Sequence, residues 1–179
     1  MTTATQRPTP APPQVQAEAA LFLAVEAELI DDRRYAEWLD VVTDDFTYTV
    51  PVPVTPDNPF APHHDPEALL LDESKDSIRH LWFRRLEADM HEFAWGENPP
   101  PQLRHFVTNV RAYLTGDPDE LAVRSNVLVV GRRQSDQPKY LSAERFDTLR
   151  RGAAGLLLAR RHAVLDQTVI DFPQPRVLL

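Results

Sequence analysis

Cysteine is missing from all 179 residues of this chain. Without thiolates it can form no disulfide, no zinc ribbon and no iron–sulfur cluster of its own, and it has no nucleophilic cysteine. Any redox centre it serves must sit on a partner. Glycine is scarce too, and Gly96, Gly116, Gly131, Gly152 and Gly155 are dispersed rather than gathered into a loop that could cradle phosphate. No Gly-x-Ser-x-Gly elbow occurs. Basic charge is outweighed, 19 Lys and Arg against 27 Asp and Glu, for a net charge of -8. That balance argues against a nucleic-acid or anionic-membrane partner, both of which need a basic face. No apolar run approaches a membrane span, and the opening Met1–Pro8 lacks the apolar core of a signal peptide. The expectation is a soluble, cytoplasmic protein with neither nucleic acid nor membrane as partner.

Proline, by contrast, is abundant, and it divides the chain. Pro8, Pro10, Pro12 and Pro13 mark residues 1–14 as a disordered or draped tail, leaving residues 15–179 as a single domain. Phe22, Val25, Leu29 and Ile30 recur at helical spacing, Asp31-Asp32 interrupts, and Tyr35, Trp38, Leu39 and Val42 form a second, short stripe. Phe46–Val50 alternates as a strand that Pro51 and Pro53 would confine to an edge or an end. Six prolines between Pro51 and Pro66 predict a long, stiffened excursion, and loops of that length are usually functional or bound to a partner. A third helix is expected from about Asp72 to Met90, with Ile78, Leu81, Trp82 and Leu86 buried, ending before Trp95.

The last third reads as four long strands, 105–114, 120–130, 140–150 and 156–170, joined by short polar turns that make neighbours antiparallel. Helices followed by a meander give an α+β class, with helices on one face of a curved antiparallel sheet. Neither face of this sheet reads as cleanly apolar. In the second strand Leu121, Val123, Val127 and Val129 oppose Ala122, Arg124, Asn126, Leu128 and Val130; strict alternation in the fourth puts Arg161 opposite Arg160, His162 and Asp166. The mixed side is either a solvated surface or a seam with another protein, where polar groups find partners. Candidate seam residues are Arg104, Arg124, Asn126, Arg160, Arg161, His162 and Asp166, with Arg160 and Asp166 a possible buried pair. Arg150-Arg151 and Arg160-Arg161 flank the last turn as a solvated hairpin end or a salt-bridged interface.

Chemistry-bearing clusters are weak. His63-His64-Asp65 has metal-ligand residue types, but adjacent histidines diverge and rarely chelate one ion from a loop. His105 could pair with Asp147 or Asp166 as an acid–base dyad, although a histidine satisfied in a polar network is the commoner outcome. No catalytic, cofactor-binding or metal-binding residue is assigned.

Several stretches, taken together, resemble one family. Val25–Leu39 (VEAELIDDRRYAEWL) followed by Asp44–Pro51 (DDFTYTVP) is similar to the N-terminal signature of the small (β) subunits of aromatic-ring-hydroxylating dioxygenases. Further agreement comes from Arg85-Leu86, Ala94-Trp95 with Pro99-Pro100, Arg104-His105 with Asn109-Val110, Val123–Asn126 and Ala159–Gln167. Gln102-Leu103 departs from the family's usual Ser-Arg, and the proline-rich loop is expanded. The resemblance implies a cone-shaped fold like that of nuclear transport factor 2, scytalone dehydratase and ketosteroid isomerase. It implies three β subunits assembled with three α subunits, the Rieske [2Fe-2S] cluster and mononuclear iron both on α, no cofactor in this chain, and a structural role. The alternative is a free-standing dehydratase or isomerase using His105 and an Asp in the cone pocket.

Overall fold

The computed structural model describes residues 8–58, 60–86, 90, 93, 99–134, 136–172 and 178–179. The chain is ordered earlier than the proline content predicts. Thr9–Pro10 forms β1, a two-residue strand on Tyr113 and Leu114, and Ala11 is buried. The edge is then continued by a side chain: Gln16 Nε2 donates to the Ala112 carbonyl at 2.6 Å, and its Oε1 accepts from the Ala112 N–H at 2.7 Å. These prolines therefore run along a sheet edge, where a missing N–H costs nothing. Residues 1–7 of the expected tail lie outside the described residues.

Helix α1 spans Pro13–Asp31, with proline in its first turn, where its lost N–H would be unsatisfied anyway. Arg33, at φ 59°, turns the chain through the left-handed region into α2, Tyr35–Asp40. Strand β2 (Val42–Pro53) follows, and strand β3, His64–Ser74, antiparallel to β2, takes the first three residues of the expected third helix and, with β2, shortens the expected Pro51–Pro66 excursion to residues 54–63. Helical structure begins only at Lys75, where a reciprocal capping box joins Ser74 and Ser77. It continues as a π turn over Ile78–Trp82 and a 3-10 turn over Phe83–Leu86. Ile78 and Trp82 are buried as their spacing predicts, but Leu81 is 59% exposed; the expected end of this helix, with Trp95, lies outside the described residues. Pairing with β2 decides the Glu67–Leu71 run, since tertiary contacts outweigh propensity in short apolar stretches.

The four strands of the last third are β4 (Gln102–Leu114), β5 (Glu120–Arg132), β6 (Lys139–Gly152) and β7 (Gly155–Leu165), antiparallel in sequence. Strand β2 joins β7 in parallel, so the seven-stranded order is β1-β4-β5-β6-β7-β2-β3. Strand β2 is thus interior, yet its prolines are tolerated. Its pairing with β7 ends at Thr49 opposite His162, and register shifts at Val50/Pro51 and Pro51/Pro53 interrupt the ladder to β3.

One face of the sheet curves over α1, α2 and the helical turns and is buried; the other is open. On β7 the alternation slips once. Leu158 opposes Leu149 while Arg160 opposes Thr148, leaving Ala159 as an extra residue, a β-bulge. Leu156 and Leu158 point inward before it; Arg161, Ala163 and Leu165 do so after it. A second shift on β4 lies between Thr108 and Arg111, with Asn109 at φ 54°.

Candidate subunit interface

The concave side of the sheet, where an enzyme of this architecture would keep a pocket, is filled by ionised side chains that satisfy one another. Arg161, 1% exposed, reaches Glu26 of α1 at 2.9 and 3.3 Å and Asp147 of β6 at 2.9 and 3.0 Å. Trp38 Nε1 also donates to Glu26, at 2.8 Å. Arg145 donates to Ser125 Oγ at 3.0 Å and lies 3.8 Å from Glu26, with its second terminal nitrogen unpartnered. Two carboxylates balance two guanidiniums, as buried charge requires.

The electrostatics follow from that geometry. Burial pushes the Glu26 carboxyl up, but Arg161 and Arg145, with hydrogen bonds from Arg161 and Trp38, outweigh it and hold it below the usual glutamate value. Burial likewise opposes the Arg161 charge and is overcome by Asp147 and Glu26. Arg145, less well paired, is pushed down to about 10 by burial and by its neighbour Arg161. Burial raises the Tyr48 phenol, whose oxygen accepts the Leu179 N–H at 3.3 Å.

His105 belongs to this closed interior. Its Nδ1 lies 2.6 Å from Asp31 and its Nε2 3.0 Å from the Leu178 carbonyl. Both ring nitrogens are taken up by oxygens of the chain itself, so neither is directed at a substrate. Asp31 is the partner, not Asp147 or Asp166; Asp147 is occupied by Arg161, and Asp166 is exposed, accepting from Ser142 Oγ at 2.6 Å. The acid–base dyad is therefore corrected to a clamp on the C-terminal segment, whose Leu178 and Leu179 are buried. Among the described residues no group of three His, Cys, Asp or Glu could hold a metal ion, and His64 instead pairs with Pro53 in the β2–β3 ladder.

The open face carries the rest of the predicted set. Strand register places Arg111, Arg124, Phe146, His162 and Thr49 in one row across five strands, and Tyr113, Ala122, Thr148, Arg160 and Thr47 in the next. Arg124 pairs with Glu144 and lies over the Phe146 ring, 4.9 Å from its centroid. Thr49 Oγ1 is 2.9 Å from His162 Nδ1, and burial, then His64, lowers the His162 pKa. Asn126 is exposed on this face, Arg104 is exposed at its end but pairs with Asp31 of α1 at 3.4 Å, and Arg160 has no partner among the described residues. Arg104, Arg124, Asn126, Arg160, His162 and, at the strand end, Asp166 thus share the open surface. Arg161 does not: the bulge at Ala159 turns it into the core. Arg160 and Asp166 form no pair, since one sits opposite Thr148 and the other beside Ser142. Arg150 and Arg151 are spent within the chain, on Asp45 with Glu120 and on Glu18.

Sequence reasoning placed Leu128 on this face but did not single out the aromatics beside it. Phe106, Leu128 and Tyr140 are 50%, 39% and 58% exposed, with Phe106 directly opposite Leu128. Their outward phase was readable from the alternation of β5, in which Leu128 stands among Arg124, Asn126 and Val130. Beside them a shallow groove of about 610 Å³ is lined by Asn109, Val110, Arg111, Asn126, Glu144 and Asp166. A surface with aromatic anchors, arginines and few lysines is built as protein interfaces are.

The family described as ring hydroxylating beta subunit matches residues 25–172. This chain belongs to the ring-hydroxylating β-subunit family. It is 30% identical over 175 residues to the 3-phenylpropionate/cinnamic acid dioxygenase subunit β of Photorhabdus laumondii, covering 93% of this chain and 92% of that one. It is 32% identical to the biphenyl 2,3-dioxygenase subunit β of Rhodococcus jostii, covering 92% and 88%. Among solved structures a naphthalene 1,2-dioxygenase with indole in its active site superposes with a TM-score of 0.81 at 24% identity, over 94% of this chain and 88% of that one. The benzoate 1,2-dioxygenase β subunit of Burkholderia mallei gives 0.64 at 19%, over 93% and 99%. The β-subunit fold is thus the nuclear transport factor 2-like α+β fold that the resemblance implied, and the free-standing dehydratase reading is not favoured.

Proposed function

We propose that this chain is the non-catalytic, structural β subunit of the oxygenase component of a multicomponent aromatic-ring-hydroxylating dioxygenase of the cytoplasm. Three copies assemble with three α subunits, and the α subunits carry the Rieske cluster and the mononuclear iron and perform the cis-dihydroxylation. The observation that carries this reading is the division of the sheet. Its concave side is closed by the Glu26–Arg161–Asp147 network and the clamped C-terminal leucines, which ties up Asp147 and His105 within the chain. Its open side presents Phe106, Leu128 and Tyr140 beside arginines, an exposed apolar cluster rimmed by polar residues of the kind that marks protein-binding surfaces. The membership of the family supports the α partner.

The test is co-production with the α subunit of the same oxygenase. The expected product is a complex in which both chains co-purify, aromatic substrate is dihydroxylated, and all iron partitions with α when the chains are separated. Stoichiometric iron on the isolated β chain, or full turnover by α without it, overturns the proposal.

A further inference from the structure

The outer face is electrically lopsided. Arg111, Arg124 and Arg160 gather on β4, β5 and β7, against Glu144 and Asp166, while Arg104 is drawn to Asp31 of α1 at 3.4 Å, in a chain whose net charge is -8. Arg111 stands directly opposite Arg124, a like-charge cross-strand pair that is unfavourable in isolation. Glu144 satisfies Arg124, while Arg111 has no partner among the described residues. At the far rim lies β3, which among the described residues pairs with β2 alone. This edge is eleven residues long, carries Asp65, Glu67 and Asp72, and exposes Leu69 and Leu70 at 44% and 39%. A long edge strand with exposed leucines invites another chain. Asp72 opposes Thr49, so it ends the very row that begins at Arg111. One row therefore carries an unpaired cation at one end and a carboxylate at the other.

We infer that copies of this chain meet head to tail: the acidic, leucine-bearing β3 rim of one copy seats on the arginine-bearing β4–β5 side of the next, closing a ring. This rests on the trimeric β-subunit reading above and adds which surfaces meet. Charge complementarity selects the pairing, because each surface carries what the other lacks. A face-to-face pair would also match opposite ends, but the open side is the outside of a curved sheet, and two such surfaces touch only near their middles. A contact between two different patches that repeats by rotation is what closes a ring of three.

The absence of native cysteine gives a clean test in the assembled complex. Chains carrying both Asp72→Cys and Arg111→Cys, oxidised, are expected to give disulfide-linked β dimers and trimers, and neither single variant links β to β. Charge reversal needs no disulfide geometry: Arg111→Glu weakens β–β association by about 10-fold or more, and adding Asp72→Arg in the same chain restores it to within about 3-fold. Linked dimers without trimers overturn the ring in favour of a face-to-face pair. No β–β link together with no rescue, and outer-face cysteines linked to α instead, overturns the inference while leaving the structural β-subunit role intact. Failure of the parent chain to assemble with α at all removes both.

Discussion

Arg161 and Glu26 are joined by two hydrogen bonds, of 2.9 and 3.3 Å, across 135 residues of sequence. The pair ties the first helix to β7, the last strand in the sequence, and Asp147 completes it from the neighbouring β6. Its stability depends on completeness, since a buried ion whose partner is removed keeps its desolvation cost and loses its compensation.

Arg161→Met is therefore expected to cost roughly 3 to 5 kcal/mol, because it strands two carboxylates in the core. Urea unfolding of the purified chain measures it. A loss under about 1 kcal/mol would mean that Glu26 and Asp147 find water or protons at little cost.

Arg145 should behave differently. It is as deeply buried but poorly partnered, and Arg145→Met removes one unpaired donor and a charge that burial already disfavours. The expected cost is smaller than for Arg161→Met, about 1 to 3 kcal/mol, because Glu26 and Asp147 keep Arg161 while Ser125 loses a donor and Glu26 a nearby charge. Comparing the two methionine variants in one denaturation series isolates partnering from burial.

Acid should unfold the protein through the same network. The Glu26 carboxyl is held below its ordinary value of 4.5, so the folded state binds this proton less readily than the unfolded state. Its contribution is fully present above 4.5 and is lost as pH falls through the lower folded value. Stability measured from neutral pH downward should fall below about pH 4.5 in the parent. In Glu26→Gln, stability should be lower at neutral pH and the acid slope shallower.

His105→Phe and Asp31→Asn should release the Leu178 clamp at a cost of about 1 to 3 kcal/mol each, the penalty for leaving buried polar groups unmatched. Turnover per assembled complex should not change. A variant that folds and assembles yet loses activity would restore His105 to the chemistry.

On the open face stability and assembly should separate. Asp166→Ala removes an exposed acceptor of Ser142 and should cost about 0 to 1 kcal/mol. Phe106→Ala should leave the melting temperature of the isolated chain unchanged and lower its retention in the complex, read by size-exclusion chromatography with α present.

Much of the fold was legible because the last third alternates strictly and is cut by unmistakable turns; β4 to β7 fall within a few residues of their expected spans. Two kinds of feature were not. Strand β3 carries a short apolar run that suits helix or strand equally, and only β2 beside it decides. The bulge at Ala159 leaves no mark in the alternation, which groups Leu156 and Leu158 with Arg160 and His162; in the fold the two leucines share the buried side with Arg161, which had been counted among the seam residues. Glu26 was nonetheless detectable: it lies three residues after Leu23 and four before Ile30, within the apolar stripe of α1, and an acid in such a stripe asks for a buried cation. Six of the seven proposed seam residues share the open surface because register, once right, carries every second side chain with it.

The span between Glu26 and Arg161 also bears on synthesis. A ribosome adds about 5 to 20 residues per second, so the glutamate waits several seconds before its arginine exists. During that interval α1 has neither β6 nor β7 to cover it, and Glu26, in the middle of its apolar stripe, keeps the emerging helix wetted. The acid that later locks the interior thus first protects the nascent chain from collapsing on itself too soon.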